Sequence, residues 1–204
     1  MYNRIAKHIV CFLEHHKVVD ENKSEICTYG LEIMIAYICY FGVLLLLATI
    51  TNTFIESLLF LTSFVLLRRY AGGFHASSYR KCHLIFAINQ LLFIMLIKFL
   101  NVTEEVWLAA VVLLISTVIV FVYAPIDNIN RRFSNNEYKY FKKSSRICAS
   151  IVFLTVVLWI LLFGMGKLVF SIIFGYFSAS FSIILGKIQN VRSKLENNKE
   201  VDNV

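Results

Sequence analysis

Residues 31–50 read LEIMIAYICYFGVLLLLATI, and Glu32 is the only charged side chain in this run. A bilayer core about 30 Å thick is crossed by about 20 predominantly apolar residues in an α-helix. A helix on the surface of a soluble bundle has a polar face, whereas this run is apolar on all sides. The stretch therefore predicts a helix that crosses a membrane.

The remainder of the 204-residue chain repeats this pattern. Hydrophobic residues make up 58% of the sequence and charged residues 16%, and the mean hydropathy is +0.70. The apolar residues fall into long runs separated by short charged stretches, so we predict an all-α integral membrane protein with six transmembrane helices. The predicted spans are residues 31–50, 53–67, 84–100, 105–124, 147–166 and 168–186. Asn89 and Gln90 lie within the third span and need hydrogen-bond partners inside the bundle.

The two ends of the chain differ from the apolar middle. In residues 1–24, the side chains of Ile5, Ile9, Phe12 and Leu13 share one helical face, and charged residues are interspersed. This pattern predicts an amphipathic helix at the membrane surface, ahead of a six-span domain over residues 25–186. Residues 187–204 form a polar tail, and we expect its last ten residues to be disordered.

The basic residues predict the orientation. All lysines and arginines except Lys98 and Lys167 fall in the N-terminal stretch, residues 68–83, residues 125–146 or the tail. Six spans place these four segments on one side, and the positive-inside rule makes that side and both termini cytoplasmic. The net charge of +7 is then explained by topology and by attraction to the anionic inner leaflet of a cell membrane, and we predict no nucleic-acid partner.

Residues 68–83, RRYAGGFHASSYRKCH, are the part of the chain richest in reactive groups. Cys82 is the candidate nucleophile, because the neighbouring Arg80 and Lys81 and the positive end of a following helix would stabilise a thiolate. His75 is the candidate base that takes the thiol proton and later returns it. This combination indicates cysteine-peptidase chemistry.

The spacing of the pair constrains the backbone. Seven residues of continuous helix would separate His75 and Cys82 by ~10 Å, whereas proton transfer needs about 3 Å. We therefore predict that the backbone turns between His75 and Cys82, with Ser77 and Ser78 as turn residues, in a break or re-entrant loop rather than a straight helix. Gly72 and Gly73 would free the backbone just before the histidine. His83 is the alternative base, although it points about 100° away from Cys82 on a helix. The local His and Cys residues lack a clear fourth zinc ligand, so we predict neither a metal nor a cofactor.

Residues 69–76, RYAGGFHA, followed by Cys82, resemble the accessory gene regulator B (AgrB) family. The Tyr-Ala-Pro sequence at 123–125 extends the resemblance. It implies a membrane cysteine endopeptidase of quorum sensing, which cuts an autoinducing, AgrD-like pro-peptide and assists closure of a thiolactone or lactone ring. By position, Cys82 would be the nucleophile and His75 the base, and Arg69, Gly72 and Gly73 match motif positions.

The sequence also suggests a third catalytic residue, substrate contacts, an oligomeric state and an alternative function. Asp127 is a candidate third catalytic residue that orients His75, and its alternative role is a turn or helix-cap residue. An acidic part of the substrate would meet basic side chains, of which we select Arg80, Lys81, Arg131 and Arg132. A homodimer is the expected oligomeric state. The alternative function is a non-enzymatic peptide transporter or sensor.

Overall fold

The structure is a computed structural model that describes residues 2–74, 79–101, 104, 106–127 and 133–202. Helices account for the described elements, and the predicted all-α class is confirmed. The helices are α1 (Tyr2–His15), α2 (Ser24–Ile50), α3 (Phe54–Ala71), α4 (Tyr79–Phe99), α5 (Val106–Tyr123), α6 (Asn135–Phe163) and α7 (Lys167–Asp202). A short 3-10 turn, Glu21–Lys23, precedes α2. The chain divides into two compact units, residues 1–50 and residues 51–204.

The first unit consists of α1 packed against α2. Ala6 and Val10 are buried, while Ile5, Ile9 and Phe12 on the adjacent face of α1 are exposed. The helix thus carries one apolar face that is covered within the protein and a second that is open. The second face has the composition required for contact with lipid, because an interfacial helix buries its apolar side in the headgroup region.

Five helices of the described chain, α2 and α4 to α7, are long and apolar enough to cross a membrane. The protein is therefore a multi-pass helical membrane protein. The remaining long helix, α3, has 18 residues, which include Glu56 in its first turn and Arg68 and Arg69 in its last.

Two sequence expectations need correction. Residues 195–204 are expected to be disordered, but α7 continues through Asp202. The basic segment 125–146 is expected to be a cytoplasmic loop, but α6 begins at Asn135, so its second half is helical. Ser134 caps that helix: its hydroxyl accepts from the Glu137 N–H at 3.3 Å, and the Glu137 carboxylate accepts from the Ser134 N–H at 2.9 Å. This reciprocal capping box is a start signal that fixes where the helix begins.

Helix α7 is the centre of the second unit and packs against α3, α4, α5 and α6. In α7, half of the apolar 18-residue stretch that could cross a membrane is buried inside the protein. In the other candidate spans, 11–22% of the corresponding stretch is buried. Small residues repeat along its buried side, and this lets neighbouring backbones approach closely. They are Ser171, Gly175, Ala179, Ser182 and Gly186.

Helix α4 is held by aromatic rings and by two polar contacts. Phe93 stacks on Phe60 of α3 with ring centroids 4.8 Å apart. The Gln90 amide donates to the Ser57 hydroxyl at 2.9 Å, and the Ser178 hydroxyl donates to Asn89 at 3.3 Å. The prediction that both amides find partners inside the bundle is confirmed.

Candidate active site

Helix α3 ends just before the diglycine. Its last residue is Ala71, and the Gly72 N–H donates to the Arg68 carbonyl at 3.0 Å. Gly72 and Gly73 have φ values of +70° and +137°, a region that residues with a side chain rarely adopt. The chain therefore leaves α3 here, and α4 is described from Tyr79. The candidate base His75 and the predicted turn at Ser77 and Ser78 lie outside the described residues.

Gly72 is tied to the segment that follows α5. It forms an isolated parallel bridge with Ile126, whose N–H donates to the Ala71 carbonyl at 2.9 Å. The contact is so close that a Cβ on Gly72 would lie 2.3 Å from the Ile126 carbonyl oxygen. The ends of α3 and α5 thus meet at one end of the bundle, as the six-span partition of charge requires.

The Arg68 side chain connects Phe74 to α7 through hydrogen bonds. Its guanidinium donates to the Phe74 carbonyl and to the Ser182 hydroxyl. The Phe74 N–H donates to the Ser182 carbonyl at 2.8 Å and approaches its hydroxyl at 3.2 Å. Both polar groups of Phe74 are therefore fixed by side chains or backbone of α3 and α7.

Gly186, one turn beyond Ser182, lets the loop lie directly on α7. A Cβ on Gly186 would be 2.7 Å from the Gly73 carbonyl carbon and 2.9 Å from the Phe74 nitrogen. Sequence reasoning did not select Arg68, Ser182 or Gly186 as site residues. The signal that could have found the last two is the repeat of small residues along α7, which predicts a close helix contact.

Cys82 lies in the first turn of α4 and is half-buried. Phe86, one turn further along, packs against Phe64 of α3 with ring centroids 4.7 Å apart, so this face of α4 is turned toward α3. The first four N–H groups of a helix lack intrahelical acceptors, and Cys82 lies at this end of α4. His83, the alternative base, is half-buried.

Asp127 lies next to the Gly72–Ile126 bridge. Its carbonyl accepts a hydrogen bond from the Asn190 side chain of α7 at 2.9 Å. Its Oδ1 is buried and has no hydrogen-bond partner within the described part of the chain. A buried carboxylate oxygen is costly unless it is paired, so this atom marks a place where a donor is expected. The residue does not cap α6, because Ser134 does.

The basic residues that the sequence selects for the site are only partly described by the structure. Arg69 is exposed, with its guanidinium 5.8 Å from the Tyr70 ring centroid, and Lys81 is exposed at the start of α4. Arg131, Arg132 and the side chain of Arg80 lie outside the described residues. Two unselected cations lie at the same end of the bundle. Lys187 is 3.9 Å from the Tyr123 ring centroid, and Arg146 donates to the Phe121 carbonyl at 3.0 Å.

Taken together, the fold and this site define a multi-pass helical membrane protein with a fixed diglycine segment at the end of α3 and a free cysteine in the first turn of α4. The family model for Accessory gene regulator B matches residues 3–185. The chain therefore belongs to the AgrB family, which takes part in processing the peptide signal of accessory gene regulator quorum sensing and is associated with an AgrD-like pro-peptide.

Two curated relatives come from Clostridium perfringens. AgrB-like protein 2 of strain 13 is 29% identical over 187 residues, which cover 86% of this chain and 87% of the relative. An AgrB-like protein of strain SM101 is 29% identical over 175 residues, covering 82% of this chain and 78% of the relative. No solved structure matches the chain.

Proposed function

We propose that this protein is a membrane cysteine endopeptidase that removes the C-terminal part of an AgrD-like pro-peptide and assists ring closure of the remainder. The observation that carries the proposal is the position of Cys82, half-buried in the first turn of α4 after the fixed segment 72–74. Membership of the AgrB family supports it, because that family processes the quorum-sensing peptide.

The reaction begins when the Cys82 sulfur attacks the scissile carbonyl while His75 takes the thiol proton. His75 then returns the proton to the leaving amine as the C–N bond breaks. An acyl-thioester on Cys82 remains. A thiol or hydroxyl of the same peptide attacks this thioester, which forms the thiolactone or lactone and releases Cys82 as the thiol. Water must be excluded during the second step, and a site at the bundle end between helices serves that need.

Asp127 is proposed as the residue that orients His75. Its buried carboxylate oxygen, which has no hydrogen-bond partner among the described residues, supports this role, since the N–H of an imidazole is a suitable donor for such an atom. Asn190 holds the Asp127 main chain from α7 and so limits its movement. Arg69, Gly72 and Gly73 remain motif positions of the same site, while Arg80, Lys81, Arg131 and Arg132 are proposed to meet acidic residues of the substrate.

The proposed topology has six spans, α2 to α7, with both termini and the site on the cytoplasmic side. Helix α3 would add one span to the five long apolar helices. Its charged residues lie in its first and last turns, where they can reach the headgroup region. Helix α1 would lie along the inner leaflet. Labelling of single cysteines at Asn101 and Ser193 with a membrane-impermeant reagent in intact cells tests this, and only the first should react.

The decisive test uses the purified full-length protein in lipid vesicles with synthetic AgrD-like pro-peptides. Cys82→Ser should abolish cleavage, while Cys148→Ser, a matched change at another half-buried cysteine, should leave it intact. A mass increase on Cys82 equal to the acyl fragment would identify the thioester directly. Continued cleavage by Cys82→Ser would exclude the peptidase mechanism, and transport of uncut peptide by that variant would favour the transporter alternative. A loss in His83→Ala equal to that in His75→Ala would reject the choice of base.

A further inference from the structure

We propose that Ser182 and Gly186 of α7, together with Arg68 of α3, position the catalytic base by fixing the main chain that leads to it. The proposal rests on the proposed function, because His75 is taken as the base. We call these three residues the α7 cradle. They are positioning residues, since they act through Phe74 rather than on the substrate.

The hydrogen bonds of Phe74 show how the main chain ahead of His75 is held. Its N–H is held by Ser182 and its carbonyl by Arg68. The carbonyl carbon of Phe74 is bonded to the nitrogen of residue 75, so the plane of that peptide bond is fixed from one side. Because both polar groups of Phe74 are held, the two backbone dihedrals between them have little freedom. The main chain therefore leaves Phe74 from a defined point and direction.

Gly186, which has no side chain, keeps the Ser182 carbonyl accessible to Phe74. In a helix, the carbonyl of residue 182 points toward the N–H of residue 186. A side chain at 186 would cover that carbonyl, and a Cβ there would be 2.9 Å from the Phe74 nitrogen. Glycine leaves the Ser182 carbonyl open to a second donor from outside the helix. The same reasoning applies to Gly73, where a Cβ would lie 2.7 Å from the Ser182 hydroxyl oxygen.

The guanidinium of Arg68 donates to two acceptors at once. Its planar guanidinium presents two nitrogens in a fixed fork, and here one reaches Ser182 on α7 and the other Phe74 in the loop. A lysine at this position could not hold both acceptors in the same geometry. The neighbouring Arg69 is exposed, so the two arginines of the motif have different roles.

The test follows alkylation of Cys82 by iodoacetamide, read for each cysteine by mass spectrometry on the full chain in vesicles. A correctly placed base promotes thiolate formation near neutral pH, whereas at about pH 10 the thiol ionises without help. Ser182→Ala should lower the alkylation rate of Cys82 at pH 7 about 10-fold and leave the rate at pH 10 unchanged. General loosening of the fold would instead raise the rates of the half-buried Cys27 and Cys148 at both pH values.

Ser180→Ala is the matched control, because the Ser180 hydroxyl is buried on the same helix and bonds only to its own helix at the Tyr176 carbonyl among the contacts described. Arg68→Lys provides a second variant that leaves α7 intact, and it should lower the alkylation rate at pH 7 in the same way. Equal rates in Ser182→Ala and Ser180→Ala, with Arg68→Lys matching the unaltered protein, would overturn the cradle. If His75→Ala itself leaves Cys82 alkylation and peptide cleavage unchanged, the proposed function fails instead, so the two failures are distinguishable.

Discussion

Helix α3 packs against α7 and against α4 in different ways. Against α7, the contact is backbone to backbone: a Cβ on Gly175 would be 2.3 Å from the Phe60 carbonyl oxygen. Against α4, the contact is made by rings, with Phe60 on Phe93 and Phe64 on Phe86 at centroid distances of 4.8 and 4.7 Å. One interface has no room for adjustment, whereas the other consists of side chains that can rotate.

This difference matches what each helix carries. The α3–α7 contact supports the segment 72–74, which leads to the proposed base and makes four hydrogen bonds to Arg68 and Ser182. Helix α4 carries Cys82, the proposed nucleophile, which must approach a peptide carbonyl during the reaction. A rigid support for the base and an adjustable support for the nucleophile would let the pair close on a bound substrate. Because packed backbones are stiff, changes at the α3–α7 backbone contact should be more damaging than changes between the rings.

The largest effect is expected for Gly175→Ala. The added methyl group would lie 2.1 Å from the Ser63 hydroxyl oxygen and 2.3 Å from the Phe60 carbonyl, so α3 and α7 must separate. We expect a loss of about 3 kcal/mol in the free energy of unfolding, measured by denaturant titration in mixed micelles. Gly42→Ala in α2 is the control, because a Cβ there meets nothing within 4 Å. Equal stability of the two variants would show that the α3–α7 contact is not rigid.

Gly72→Ala is expected to have the next largest effect. Gly72 and Gly164 both end a helix with positive φ, +70° and +78°, and each donates its N–H to the carbonyl four residues earlier. Alanine at either position costs about 1 kcal/mol or more, because positive φ combined with ψ of −149° or −179° is a backbone conformation that is almost confined to glycine. Only at Gly72 does the methyl group also meet a carbonyl oxygen, that of Ile126 at 2.3 Å. Gly72→Ala should therefore destabilise by about 2 kcal/mol, Gly164→Ala by about half as much, and only the first should reduce peptide cleavage. A Gly164→Ala variant as inactive as Gly72→Ala would argue against a special role for the bridge.

Phe93→Leu probes the ring interface. Phe93 is fully buried and contacts rings of α3 and α7. Leucine removes ring stacking but keeps an apolar side chain, and the neighbouring rings can rotate to fill the space, so we expect a loss of about 1.5 kcal/mol. Phe163→Leu, at the exposed end of α6, should be close to neutral. Cleavage at saturating peptide should persist in Phe93→Leu, and its complete loss in a folded variant would contradict an adjustable α4.

The sequence predicted the parts of this molecule that depend on local composition. Apolar runs gave the helices, and the diglycine gave the break, because only glycine adopts the backbone of positions 72 and 73 at little cost. The amides of residues 89 and 90 required internal partners, and they have them in Ser178 and Ser57.

What the sequence did not predict depends on which residues meet in space. Ser182 is 108 positions from Phe74, and nothing local to either residue indicates that they bond. Arg68 and Arg69 are chemically identical and adjacent, yet only Arg68 reaches the loop, because the direction of each side chain is set by the turn of α3. The catalytic role of Cys82 and His75 stays a prediction, as does the role of Asp127.

The smallest effect is expected at the polar contact between α3 and α4. The Gln90 side chain is fully buried, its amide nitrogen donates to Ser57, and its Oε1 has no hydrogen-bond partner among the described residues. Ser57→Ala leaves the amide donor without this acceptor and should cost about 1 kcal/mol, in line with the modest strength of such bonds in membranes. Replacing Gln90 by leucine in the Ser57→Ala background removes both unpaired groups and should restore the stability. If the double variant is instead less stable than Ser57→Ala alone, Gln90 contributes packing that leucine does not reproduce, and the α3–α4 interface is less adjustable than its rings suggest.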